Sequence, residues 1–142
     1  METKNIMIVG VGGQGTLLTS RILGGITTMA GYEVKLSEVH GMAQRGGSVV
    51  TFVRFGDEVC EPIVEEGQAD ILIAFERLEA LRYAHFLKKD GVLIVNDRRI
   101  DPITVLTGMA EYPENIIEDL SKKYKVIAVD AQDVAVKLGN AK

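Results

Sequence analysis

Four short apolar runs set the rhythm of the chain, at residues 6–9, 71–75, 92–95 and 126–129. None alternates apolar with polar positions, so each reads as a strand buried on both faces, as in a parallel sheet. Segments of helical spacing lie between them. Leu17, Leu18, Ile22, Leu23, Ile26 and Met29 fall on one side of a helix that Gly31 is placed to end. Leu78, Leu81 and Ala84 repeat the pattern after the second run. Pro113 is placed to open a helix carrying Ile116, Ile117 and Leu120, and Asp130 to cap a last one through Val134, Val136 and Leu138. Strands alternating with helices predict an α/β doubly wound sheet with right-handed crossovers.

The stretch 33–64 breaks that alternation. Residues 34–36 read as a second strand, followed by a loop without apolar periodicity, and 48–55 reads as another strand. Gly56-Asp57 then looks like a turn into Val59-Cys60, which makes a hairpin. The expected architecture is a Rossmann-like doubly wound, mostly parallel sheet with an inserted β-hairpin. No internal repeat, low-complexity tract or linker interrupts the 142 residues, a length that suits one domain.

Composition narrows the function classes. Sixteen Lys+Arg against 20 Asp+Glu give a net charge of −4, which argues against a general nucleic-acid binder. The single Cys60 excludes an internal disulfide, a cysteine-based zinc site and an iron–sulfur cluster held by this chain alone. No apolar run approaches the roughly 20 residues that span a bilayer. Met1-Glu2-Thr3-Lys4-Asn5 runs straight into a strand with no signal-peptide pattern. The expectation is a cytoplasmic protein with neither a nucleic acid nor a membrane as partner.

Two segments carry candidate chemistry. Gly10-Val11-Gly12-Gly13-Gln14-Gly15 lies between a buried strand and a helix. There glycines permit a tight turn, and helix N–H groups face an anion. Gly10, Gly12, Gly13, Gln14 and Gly15 are therefore candidate cofactor-binding residues, with Glu38 as a ribose-binding acid if the ligand is a dinucleotide. The competing reading is that these glycines only let the first helix pack close to the sheet. The second segment is Ser37-Glu38-Val39-His40-Gly41-Met42-Ala43-Gln44-Arg45-Gly46-Gly47. Arg45 beside Gly46 and Gly47 can bring a guanidinium and bare N–H groups to one carboxylate or phosphate. His40 is a candidate acid or base without an evident partner, so a structural role competes with it. His40, Gln44, Arg45, Gly46 and Gly47 form the candidate substrate or partner loop. Gly10, Glu76, Asn96, Asp97 and Asp130 leave the strand ends, either to line a crevice or to serve as caps. No catalytic triad, zinc-binding His pair, Walker lysine or thiamine-binding Gly-Asp-Gly is present; Gly56-Asp57 is followed by Glu58.

Together the two motifs resemble the small (beta or gamma) subunit of 2-oxoacid:ferredoxin oxidoreductases. His40-Gly41-Met42-Ala43-Gln44-Arg45-Gly46-Gly47 is similar to the indolepyruvate branch. The resemblance extends over nearly the whole chain. It implies part of an enzyme of the EC 1.2.7 class, inactive in isolation. The holoenzyme decarboxylates a 2-oxoacid on thiamine diphosphate, passes electrons through iron–sulfur clusters to ferredoxin and releases an acyl-CoA. Thiamine and clusters then belong to a large partner subunit, and this chain shapes the substrate or CoA route and steadies the assembly. Family members usually continue with further helical sequence. Residues 1–142 therefore read as a single gamma-type (pyruvate/ketoisovalerate oxidoreductase catalytic) domain, shortened at its C-terminus. Two other readings stay open: a stand-alone NAD- or FAD-dependent oxidoreductase, and a non-catalytic protein-binding module.

Overall fold

The strand β1 (Lys4–Val11) is the pivot of a six-stranded sheet in the order β2-β3-β1-β4-β5-β6. The computed structural model describes residues 1–40 and 46–140. β1 pairs antiparallel with β3 (Ser48–Gly56) on one side and parallel with β4 (Ala69–Ala74) on the other. β2 (Glu33–His40) pairs antiparallel with β3, while β5 (Leu87–Asn96) and β6 (Lys125–Val129) extend the parallel half. The helices are α1 (Thr16–Met29), α2 (Arg77–Tyr83), α3 (Ile103–Leu106), α4 (Ile116–Lys123) and α5 (Ala131–Lys137).

Because side chains alternate along a strand, β1 feeds both faces of the sheet. Ile6 and Ile8 join Val53 in a cluster against Leu23 of α1. Met7 and Val9 join a larger one with Phe52, Leu72, Leu93, Ala80 of α2, and Ile116 and Leu120 of α4. Met7, Ile8 and Val9 are fully buried, the burial expected of a strand covered on both sides. The doubly wound, mostly parallel sheet is thus present, with an antiparallel β2–β3 pair inserted.

Four local expectations are corrected. The hairpin is formed by β2 and β3 across residues 41–47, and Val59-Cys60 is not a strand. β1 and β2 already take both edges of β3, so no third strand can pair with it. The run at 126–129 is a sheet edge with Ile127 and Val129 exposed, not a strand buried on both faces.

The third correction concerns α1. Its spacing is helical, but Thr16, Ser20 and Gly24 face the sheet, and Leu17, Leu18, Ile22, Ile26 and Met29 are exposed. Small residues are required on the inner side because α1 runs close to β2. A Cβ on Gly24 would sit 3.1 Å from Leu36 Cδ1. The hydroxyls on this helix are satisfied by its own carbonyls, with Ser20 donating to Leu17 and Thr27 to Leu23 at 2.8 Å each. The second strand also differs: β2 runs on through Ser37, Glu38, Val39 and His40, which read as loop in the sequence, because they pair with β3. Gly31 follows α1 with φ +91°, and Asp130 caps α5 by accepting from the Asp133 N–H. α4 starts three residues after Pro113, with Asn115 as its N-cap.

The register shift between Ala69 and Ile71 brings Gly91 of β5 against backbone. A Cβ there would lie 2.9 Å from both the Ala69 carbonyl oxygen and Leu87 Cδ2. Gly91→Ala is expected to lower stability by about 1–3 kcal/mol, read as a lower denaturation midpoint at unchanged slope.

Candidate functional site

The turn after β1 is held by one side chain. The Val11 N–H donates to Gln14 Oε1 (2.7 Å), and Gln14 Nε2 donates to the Phe75 carbonyl at the end of β4 (3.1 Å). The Gln14 amide therefore clasps the ends of β1 and β4 together. Gly13 (φ +95°) and Gly15 (φ +90°) take the left-handed backbone that this turn needs. Gly10 allows close packing: a Cβ would meet Gln14 Oε1 and Thr16 Cγ2 at 3.1 Å and Phe75 Cβ at 3.2 Å. Gly15 is the N-cap of α1, offers no side-chain cap, and no acid occupies the first turn. The positive end of this 14-residue helix is left without a counter-charge of its own.

The second segment meets the first. The Gly12 N–H donates to the Gly47 carbonyl at 2.9 Å, tying the glycine turn to the residue before β3. Gly12, Gly13, Gly15, Thr16 and Leu17 line a cleft of about 340 Å³ whose other wall is Glu38, His40 and Val49. His40 Nδ1 lies 3.7 Å from Glu38 Oε1, two residues back on the same face of β2. Gly46 (φ +77°) borders a larger crevice of about 700 Å³, which Gly12, Gly13, Gln14, Asn96 and Arg98 also line. The structure thus brings Gly12, Gly13, Gly15, His40, Gly46 and Gly47 to one end of the sheet. Gln44 and Arg45 lie outside the described residues.

A buried polar cluster supports this end, and sequence reasoning missed most of it. Glu79 of α2 is 3% exposed; it accepts from Ser48, the first residue of β3, and from Arg82. Burial pushes its carboxyl above the ordinary range, against the opposing pull of Ser48 and Arg82. Glu76, 1% exposed, caps α2 by accepting from the Glu79 N–H at 2.9 Å, and also accepts from the Ile100 N–H and the Tyr112 hydroxyl. Burial and that bond to Glu76 raise the Tyr112 phenol well above its usual value, so Tyr112 stays a donor. The available signal was Glu76-x-x-Glu79 at a strand-to-helix junction, a capping pattern. The other strand-end residues are ties rather than free groups. Asn96 bonds the Phe75 carbonyl and the Ala131 N–H, Asp97 pairs with Arg77, and Asp130 is a cap.

The fold and its paired loops define an α/β domain of the Rossmann-like class, with its cleft at the ends of β1 and β2. The chain belongs to the pyruvate ferredoxin/flavodoxin oxidoreductase family, whose domain matches residues 5–142. It is 46% identical over 144 residues to indolepyruvate oxidoreductase subunit IorB of Pyrococcus horikoshii, covering 99% of this chain and 71% of that protein. The subunit of the same name from Archaeoglobus fulgidus is 51% identical over 139 residues, covering 96% of this chain and 69% of that one. The crystal structure of pyruvate oxidoreductase subunit PORC from Thermotoga maritima superposes with a TM-score of 0.70 at 22% identity, covering 99% and 70%. That last match shows the shared fold.

Glu79 yields a pH prediction. A carboxyl whose value is raised on folding binds its proton more tightly in the folded state. Its stabilising effect is greatest below the ordinary carboxylate range and fades as pH rises through the raised value. Glu79→Gln keeps an acceptor for Ser48 and removes the titration. Thermal melts across that window should show a decline in the wild type that is shallower in the variant.

Proposed function

We propose that this chain is the small subunit of a 2-oxoacid:ferredoxin oxidoreductase acting on an aryl-pyruvate, with indolepyruvate the first candidate. The holoenzyme would oxidatively decarboxylate the acid, release carbon dioxide, transfer the acyl group to CoA and pass two electrons to ferredoxin. The observation that carries this reading is the Gly12-to-Gly47 hydrogen bond. It joins the two motifs on which the resemblance rests into one surface, and the IorB relatives at 46% and 51% identity support the branch. Thiamine diphosphate and iron–sulfur clusters supply the decarboxylation and electron chemistry from a large partner subunit.

In this reading the present chain binds and positions. The open first turn of α1 suits a phosphate or carboxylate, since unmet N–H groups and the helix dipole favour an anion there by ~0.3–1 kcal/mol. Gly12, Gly13 and Gly15 leave backbone accessible beside it, His40 at the end of β2 lines the opposite wall, and Arg45 is a candidate polar group of the segment between β2 and β3. The stand-alone dinucleotide enzyme is less well supported, because Glu38 belongs to β2 and β3 lies between β2 and β1. That insertion moves the acid about 4.8 Å, one strand spacing, further from the glycine turn than an adjacent second strand would place it.

Co-expression with a candidate thiamine-dependent large subunit tests the proposal. Co-purification and ferredoxin reduction that depends on both 2-oxoacid and CoA are the expected results. Dinucleotide binding by the isolated chain, without complex formation, would favour the alternative. Arg45→Ala sharpens the test. If its guanidinium meets a desolvated anion or carboxylate, truncation costs on the order of 2–5 kcal/mol in binding, against roughly 0–1 for an exposed pair. The melting temperature of the isolated chain should stay nearly unchanged while assembly or CoA-dependent turnover weakens at least about tenfold. A variant that melts early yet assembles and turns over normally makes Arg45 structural.

A further inference from the structure

Ser48 is where the strand ladder ends. The last pair between β1 and β3 is Val11 with Ser48, and the last between β2 and β3 is His40 with Val49. The two residues before Ser48 are glycines, and Gly46 takes φ +77°, a backbone that glycine alone adopts freely. No side chain of their own fixes the path of this pair. Yet the Gly47 carbonyl has to face the Gly12 N–H, and Val49 and Gly46 line the cleft and the crevice beside the glycine turn. The remaining anchor is the Ser48 side chain. It donates to Glu79 Oε2, and the Tyr83 hydroxyl lies 3.1 Å from its oxygen.

The needs of α2 do not account for Glu79. A carboxylate three residues after an N-cap ordinarily turns back to the cap N–H. Here Glu76 caps α2, while Glu79 reaches across to β3 and takes Arg82 Nη1 on its other oxygen at 3.0 Å. Burying a carboxylate is costly, and an apolar residue of similar size would avoid the penalty. What an apolar residue would not provide is the bond to Ser48. We propose that Ser48 and Glu79 are positioning residues of the candidate cleft, which hold the Gly47 carbonyl against the Gly12 N–H and so set the glycine turn in its ligand-binding shape. Both act through the backbone of Gly47. The ligand half of this inference rests on the proposed oxidoreductase role; the backbone half does not.

Amide hydrogen exchange on the purified chain tests the backbone half. In Ser48→Ala and in Glu79→Leu the Gly12 N–H should exchange at least about tenfold faster, while Ile8 and Val9 of β1 keep their protection. Glu79→Leu keeps the test open should Ser48→Ala fold poorly. Ser48→Thr retains the donor and Glu79→Gln an acceptor, so both should show the wild-type rate at Gly12. Ser48→Ala combined with Glu79→Leu should lose no more than either alone, because both break one link. In a complex with the large subunit, Ser48→Ala should raise KM for CoA about fivefold or more with kcat little changed, the mark of lost uniform binding. Ser48→Thr should reverse that rise. Unchanged Gly12 exchange in both disruptive variants overturns the proposal. So does protection lost evenly along β1 and β3, which would make the bond a general stabiliser, and so does an unmoved KM once Gly12 is loosened. A wild-type complex without CoA-dependent turnover would instead overturn the oxidoreductase role, and the exchange result would still decide the backbone link.

Discussion

The geometry of the candidate site depends on one constraint: β1 has neighbours that run in opposite senses. In a wholly parallel sheet, the loop entering a strand lies at the end opposite the loop leaving its neighbour. Here β3 runs antiparallel to β1, so its first residue, Ser48, pairs with the last of β1, Val11. The segment entering β3 therefore meets the glycine turn leaving β1. Because β2 is in turn antiparallel to β3, His40 at its end arrives at the same place, opposite Val49. Two motifs separated by some twenty-five residues become one wall, and the hydrogen bond from Gly12 to Gly47 records the contact.

Much of this was legible, and the failures have physical causes. Unbroken apolar runs mark strands, and the strand-to-helix rhythm gives the fold class. Periodicity states which residues share a face but not which face turns inward. Here the approach of Gly24 to Leu36 reserves the inner side of α1 for small residues and leaves Leu18, Ile22 and Met29 outside. An apolar run such as 126–129 reads the same whether its strand is central or at an edge, since strand order is a property of the whole sheet. The hairpin was misplaced for a related reason. A turn signal at Gly56-Asp57 says that a strand ends, but not that another pairs with it.

The buried carboxylates were the least legible part of the site. Ser48 and Glu79 are 31 residues apart, and Glu76 and Tyr112 are 36 apart, separations at which no local pattern reports contact. Their burial is tolerated because each carboxylate oxygen has a donor: Tyr112, Ile100 and the Glu79 N–H on Glu76, and Ser48 and Arg82 on Glu79. Removing a donor would leave a desolvated oxygen, so the cluster resists change more than any single bond suggests. Its position matters because Ser48 directly follows Gly47. Through Ser48, α2 holds the residue on which the Gly12 N–H depends.

α1 joins the site to the rest of the surface. Its first turn faces the glycine cleft, its inner side fits the sheet through small residues, and its outer side is apolar. A chain meant to stand alone in water would place charges on that outer side, so the composition of α1 suits a helix that is covered. At 14 residues the helix is about 21 Å long. The open first turn sits at one end of that length and Leu18, Ile22 and Met29 run along its outer side, so one helix presents both a polar and an apolar surface.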